Sequence, residues 1–540
     1  MLSHKNIFGF ATGLSFILLM SSSCTKLADK NYTQINSDQF NPGPSDLVSL
    51  VGPAYGSWRG LIGYNGSSNF FRTQEVTADE IVIPARPNGW VDDGSYRRLH
   101  EHKWTNTDGT AGNYSGAYDG INNCNRLIYQ IESDILPVTS GKDEILAEIR
   151  ALRASYYYVL CDLYGNVPIV IKFDVEPGFL PEQNTRQQVY DFIISEVNEV
   201  MPLLSEDNSQ TYYGRFNKWA AKALLAKMYL NAGVYAGTPK WDDCIAACDD
   251  IINSGKYSLS STQKAIFATD NASNPEIIFA VPFDEKYADG FNLHMETLQP
   301  ENQATYNLQA SAWGGIAAIP QYIDTYDPQD ERLKDNWIQG QQYTSTGTPL
   351  SGTLGAFNGK PLNFINYIPG VDSSEEVDGY RLGKFEFKVG GLTNLSNDAP
   401  LFRYADIMMI KAECLLRTGK ANDAAAIVSA VRARSFISDP SKATVTGAQL
   451  MQGSSYDYGR RDHLVTTEQG GADVQYGRFL DELGWEFNQE PHRRQDLIRW
   501  GIFTKKSWFS HQPNGDYRVL MPIPSNALNT NSNLKQNPGY

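Results

Sequence analysis

The sequence predicts a predominantly α-helical protein in which helix pairs form the scaffold and a loop-rich, short-stranded part forms one face. Three observations point there. Residues 147–170 place Ile149, Leu152, Tyr156, Val159, Leu160 and Leu163 at intervals of three and four, one continuous stripe on a helix. Residues 219–252 and 403–434 each read as helix, short turn, helix, with small residues where the two would touch. Between them, residues 257–400 are rich in Gly, Asn and aromatics, a composition that gives loops.

Taken in order, residues 1–23 read as a targeting segment. Lys5 supplies a positive start, and the apolar run 7–20 is too short to span a bilayer and is followed by small residues. Cys24, directly after Ser21, Ser22 and Ser23, looks like the lipidated cysteine of a bacterial lipoprotein, although Ser21 stands where a Leu is usual. Several acyl chains on one cysteine would hold the protein at a membrane, whereas one chain is marginal. Residues 24–45 are then a tether and 46–540 a single folded domain, with helical scaffold over 46–255 and 401–540 and the loop-rich part over 256–400.

Within that body, residues 47–130 mix helix with an aromatic loop at 79–104. The 147–170 helix stops at Gly165, which tolerates a positive φ, and Pro168 sends the chain on as an extended run. Tyr156, Tyr157 and Tyr158 are expected to pack in the core. The 219–232 and 241–252 helices are joined through Gly233, Gly237 and Pro239, and Gly419 divides the 403–434 pair. Such pairs resemble tetratricopeptide units, which bury their faces only by stacking on neighbours. Their irregular spacing excludes a plain solenoid. Residues 435–477 form a polar insertion, and 479–500, broken at Pro491, the last helices. Arg493, Arg494, Asp496, Arg499 and Trp500 are assigned structural roles through i to i+4 pairs and helix-end charges.

Charge narrows the partners. A net charge of −15 repels polyanions, so nucleic acid is excluded as a partner and a heavily sulfated ligand is disfavoured. The cysteines after Cys24 lie mostly in helical apolar patterns, against a disulfide framework, and Cys244 with Cys248 is too small a set for zinc. Residues 355–360 narrowly miss a phosphate loop, with Pro361 where Ser or Thr would hold magnesium. His100 and His102 alternate as on a strand, without a third ligand spaced to join them. Asp79 with Glu80 and Asp481 with Glu482 are adjacent acids of a kind a glycosidase needs at a set separation, which spacing in sequence does not establish. What stands out is a surplus of loop aromatics: Tyr64, Trp90, Trp104, Tyr306, Trp313, Trp337, Tyr343, Tyr367 and Tyr380.

Seven blocks carry a family resemblance. They are DEIVIPARPNGWVDDGSYRRLHEHKW from Asp79, ALRASYYYVLCDLYGNVPIV from Ala151, GRFNKWAAKALLAKMYLNAG from Gly214, NPEIIFAVPF from Asn274, RYADIMMIKAECLLRTG from Arg403, LGWEFNQEPHRRQDLIRWG from Leu483 and LMPIPSNALNTNSNLKQNPGY from Leu520. In this order they resemble the SusD/RagB family of outer-membrane nutrient-binding lipoproteins, with Pro491 a departure from the usual Gly. The resemblance implies eight helices in four tetratricopeptide-like pairs, no enzymatic activity and no cofactor. It implies a location at the outer membrane facing the exterior, with a SusC-like TonB-dependent transporter as partner and an oligosaccharide, or in some members a peptide, as ligand.

Sugar capture would proceed by stacking of C–H faces on rings, with polar side chains bonding the hydroxyls. Covering about 100 Å² of apolar surface yields roughly 2.5 kcal/mol, while micromolar affinity needs about 8, so several rings must converge. Trp90 and Trp313 are the expected platforms, with Tyr306 a third. Asp79, Arg86, Asp92 and Arg381 are the hydrogen-bonding candidates. Peptide capture and surface glycoside hydrolysis are the competing functions.

Overall fold

A computed structural model describes residues 44–63, 69–87, 91–108 and 111–540, with backbone alone for 44–50 and Asp92. The targeting segment, Cys24, nearly all of the tether, Tyr64 and Trp90 lie outside the described residues.

The fold is mostly helical, as the sequence predicts. Eight helices of 12 to 22 residues form its frame among the described residues: α1 (Pro44–Ile62), α2 (Ala111–Glu132), α3 (Lys142–Leu163), α4 (Arg186–Val200), α5 (Lys218–Leu230), α6 (Trp241–Asn253), α7 (Tyr404–Arg417) and α8 (Ala421–Arg432). Each packs mainly on its neighbour in sequence, and α6 crosses the long middle segment to meet α7. That order of stacking is consistent with tetratricopeptide-like pairs.

Local chemistry sets the boundaries. Asp143 and Glu144 sit in the first turn of α3, where the helix dipole favours anions. At its other end Gly165 adopts φ +67° and its N–H bonds the Leu160 carbonyl. Thr185 and Gln188 cap α4 reciprocally, and Asn217 accepts the first free N–H groups of α5. The three tyrosines of α3 are buried and each is anchored. Tyr156 donates to the Ala54 carbonyl and stacks on Trp58, Tyr157 donates to the Val170 carbonyl, and Tyr158 meets Gln495. One apolar cluster runs from Val51 to Ile523, and a second fills the space between α7, α8 and the helix Gly477–Phe487.

The middle of the chain has only short strands. β1 (Ile81–Val82) pairs with β3 (Ala317–Ala318), β2 (Ile277–Val281) with β8 (Ala399–Arg403), β4 (Trp337–Ile338) with β7 (Arg381–Leu382), and β5 (Gly340–Gln341) with β6 (Asn363–Phe364), all antiparallel. β8 runs directly into α7, so this pairing ties the loop-rich part to the helical frame.

The helices α9 (Gly477–Phe487) and α10 (Arg493–Arg499) break around Pro491 as expected, but they are not the last, since the short helix Ser525–Thr530 follows. Their charges are structural, but chiefly through distant partners. Arg493 pairs with Asp79, Arg494 with Asp162 and Arg499 with Glu413, while only Arg499 with Asp496 is a local pair. Glu482 and Glu486 of α9 join a fully buried network with Arg332, Arg403, Arg432 and Arg434, and Arg403 also reaches Glu490 and Glu276.

Candidate ligand-binding face

Three of the four polar residues expected at the site are instead part of the scaffold. Asp79 is wholly buried and accepts two bonds from the Arg493 guanidinium, at 2.6 and 3.0 Å, and a third from the Tyr458 hydroxyl. Arg86, 5% exposed, donates to the carbonyls of Gly315, Glu375 and Asp378. Burial draws its pKa down to about 10. Arg381 is also fully buried and binds the carbonyls of Asp378 and Glu376 at 2.6 Å, with its guanidinium 4.4 Å from the Phe364 ring centre. A buried guanidinium whose bonds run to backbone oxygens is held inside the scaffold, away from a ligand on the surface. Asp92 begins the turn Asp92–Gly94.

These arginines nonetheless shape the face. Arg86 joins the end of the β1 segment to the 313–315 loop and to the 375–378 turn, and Arg381 gathers the same turn from below. Gln299 donates to the Glu376 carbonyl, and the Ala356 N–H binds Glu375. Three segments of distant sequence, 84–87, 299–315 and 340–378, are therefore held together by buried polar contacts.

The rings are carried on this assembly. Trp313 is 38% exposed, and its backbone N–H holds the Met295 carbonyl at 2.6 Å on the short helix Leu293–Thr297. Tyr306 is half-buried, with its ring edge-on to Phe387 at 5.8 Å, and Phe387 also meets His294 of that short helix. Burial pushes the Tyr306 phenol up to about 12, so it serves as a neutral hydroxyl. Tyr343, 47% exposed, lies in a hairpin whose Ser345 N–H binds the Ala304 carbonyl, two residues before Tyr306. Tyr367 and Tyr287 are also exposed. Trp104 and Trp337, by contrast, are buried and hydrogen-bonded to Tyr540 and Tyr326. Neighbours rich in Gly, Asn, Asp, Ser and Thr marked both kinds of ring alike. Tyr287 was not singled out by sequence and carries no local pattern beyond a polar loop.

The remaining chemistry resolves into structure. His100 and His102 do have a third imidazole near them, His511, with ring centres of His102 and His511 4.2 Å apart. Each ring binds a backbone carbonyl, those of Phe509, Thr77 and His100 respectively, and burial lowers the His102 pKa to about 3. Among the described residues no group of three or more His, Cys, Asp or Glu is arranged to hold a metal. Cys244 and Cys248 are buried free thiols. Asp481 accepts from Ser454 and Ser455, and Glu482 from three arginines. In the 355–360 loop the Ala356 N–H faces the Glu375 carboxylate, an arrangement that repels phosphate.

Residues 61–230 match a family described as starch-binding and associating with the outer membrane, and residues 366–540 match the SusD family. The chain belongs to the SusD/RagB family. Among its relatives, the starch-binding protein SusD of Bacteroides thetaiotaomicron is 25% identical over 521 residues, covering 88% of this chain and 86% of that one. A SusD-like protein of Bacteroides ovatus is 28% identical over 329 residues, 58% of this chain and 56% of that protein. The fold matches that of a laminarin-binding SusD-like protein with a TM-score of 0.69 at 22% identity, over 93% of this chain and all of the other. It also matches surface glycan-binding protein A from Bacteroides thetaiotaomicron, solved with laminarihexaose, with a TM-score of 0.67 at 17% identity over 92% and 99% of the two chains. Among the described residues no helix is long and apolar enough to cross a membrane.

Proposed function

We propose that this SusD/RagB protein is a cell-surface glycan-binding lipoprotein that captures oligosaccharides and passes them to a partner SusC-like TonB-dependent transporter. It is anchored in the outer membrane through lipid on Cys24, faces the exterior and makes or breaks no bond in its ligand. The observation that carries this reading is the exposure of Trp313 and Tyr343, with Tyr306 half-buried, on segments tied to one another by the hydrogen bonds of Arg86, Gln299 and Ser345. Fixed rings cost little entropy when a sugar settles on them. Trp90, a few residues beyond Arg86 in the chain, is the further platform. The names of the relatives, starch-binding and laminarin-binding, support a neutral glycan, and the net charge of −15 favours one over an anionic polymer.

Isothermal titration after a glycan array provides the test. Replacing Trp313 or Trp90 by Ala is expected to weaken binding of the array-selected oligosaccharide at least tenfold, and the double replacement to abolish it. Unchanged affinity in both single variants would remove these rings from the site. The purified protein is expected to release no reducing ends from the bound polysaccharide; steady release would favour the hydrolase reading.

A further inference from the structure

The connection from α3 to α4 crosses the helical scaffold as a strap whose residues 171–180 are all exposed. Half of them are large and apolar: Ile171, Phe173, Val175, Phe179 and Leu180 are between 38% and 50% exposed. Side-chain donors hold the strap at both ends. Asn125 donates to the Val170 carbonyl at 2.9 Å, Arg153 to that of Ile171 at 3.2 Å, and Asn533 to that of Leu180 at 3.0 Å. Between them the chain reverses at Gly178, φ +83°, with the Phe179 N–H on the Glu176 carbonyl. Held in this way, the apolar side chains stay at the surface, and exposed apolar clusters of this kind mark interaction sites. A cleft of about 460 Å³ adjoins the strap, lined by Tyr114 and Tyr118 of α2 and by Leu180, Pro181 and Leu534. Tyr118 is fixed there by its bond to the Pro168 carbonyl at 2.8 Å.

The chemistry of the strap decides what covers it. Lys172, Asp174 and Glu176 alternate with the apolar residues, so sinking the strap into a lipid layer would strip water from two carboxylates. A second copy of the chain is matched instead. Ile171-Lys172-Phe173-Asp174-Val175 reads apolar, base, apolar, acid, apolar. Set against itself in the opposite direction about Phe173, it brings Ile171 to Val175 and Lys172 to Asp174, each twice, as a two-fold axis requires. Lys172 and Asp174 are exposed and have no ion-pair partner among the described residues. The strap holds one base and two acids, so two bodies that each carry a net charge of −15 repel little at this place. Strap and cleft also lie side by side, which lets the strap of each copy rest against the cleft of the other.

We propose that the 171–180 strap and the cleft beside it form a homodimer interface, with a two-fold axis near Phe173 and Lys172 of each copy paired with Asp174 of the other. The inference uses none of the residues of the Trp313 face and stands or falls apart from the glycan-binding reading.

Sedimentation of the full chain carrying Cys24→Ala, which removes the lipid site and leaves the strap intact, is expected to show a concentration-dependent dimer. Lys172→Asp or Asp174→Lys alone should weaken that dimer roughly tenfold by setting like charges together, and the two combined, which exchange the charges, should restore it. Phe173→Asp should abolish the dimer and leave the thermal midpoint in place, while Val389→Asp, at an exposed apolar residue elsewhere, should change neither. On cells, the anchored protein carrying Phe173→Cys is expected to join to a second copy through a short bis-maleimide. A chain that is monomeric at every concentration, or a charge exchange that fails to restore what the single changes remove, would overturn the pairing. A cross-link only to a larger membrane protein would overturn it as well and give the strap to the transporter.

Discussion

Glu75 illustrates what burial does to a single carboxyl group in this chain. Its Oε1 accepts the backbone N–H groups of His492 and Arg493 at 3.2 Å, yet desolvation outweighs those bonds and pushes its pKa up to about 8. A group that holds its proton more tightly when folded stabilises the fold fully below its unfolded pKa and loses that contribution as pH rises through the folded value. Stability is therefore expected to fall between about pH 4.5 and 8, at a slope approaching ~1.4 kcal/mol per pH unit from this group alone. Glu75→Gln should flatten that slope in denaturant titrations at pH 5 and pH 8; an unchanged slope would show that Glu75 does not titrate in this range. Glu482 acts in the opposite sense. Burial raises its pKa, but Arg432, Arg332 and Arg478 prevail and hold it down to about 2, so its contribution is present above the ordinary carboxylate range and lost as pH falls through about 2.

The same residues show where sequence reading runs out. Asp79, Arg86 and Arg381 stand in polar loop sequence next to aromatics and have the right chemistry for a sugar hydroxyl. What removes them from the site is a set of partners that local pattern does not reveal. Arg493, which claims Asp79, lies 414 residues away, and the carbonyls that fill Arg86 are 229 to 292 residues away. Burial of a charge is a tertiary fact, whereas exposure of Trp313 needed only a Gly-rich loop around it.

At the scale of elements, the long helices were legible because a stripe at three-and-four spacing has one outcome in water. The strands were not. Three of the four sheets pair only two residues from each side, and β2 meets β8 across the whole loop-rich part of the chain. Helix contacts, however, can be tested one residue at a time. Gly120 of α2 lies against Tyr156 of α3, and a Cβ there would come within 2.5 Å of the ring. The ring has no room to yield, since its hydroxyl is fixed on the Ala54 carbonyl and its face on Trp58. Gly120→Ala is expected to destabilise the protein by about 1–3 kcal/mol through overpacking. Gly60 of α1 provides the contrast, for a Cβ there meets nothing within 4 Å. Gly60→Ala should be neutral or stabilising by about 0.5–1 kcal/mol, because it removes backbone freedom from the unfolded chain. Thermal melts of the two variants should move in opposite directions, and a fall for both would mean that helix α1 packs differently from this structure.

For the whole molecule, the question is what keeps an acidic body at a surface. The described residues contain no membrane-spanning helix, and a net charge of −15 is repelled by an anionic envelope, so neither insertion of a described helix nor electrostatics would hold the protein there. Acyl chains on Cys24 would, provided there is more than one. The tether would then let the body reach a ligand and return to the transporter. Cys24→Ala is expected to shift the protein from the outer-membrane fraction to the soluble fraction, and to leave oligosaccharide affinity unchanged, because none of the residues assigned to the Trp313 face belongs to the 24–45 tether. Fractionation without detergent, with mass spectrometry of the mature N-terminus, reads both parts. Retention of the variant in the membrane would place the anchor elsewhere, and loss of affinity would mean that the tether takes part in the binding face.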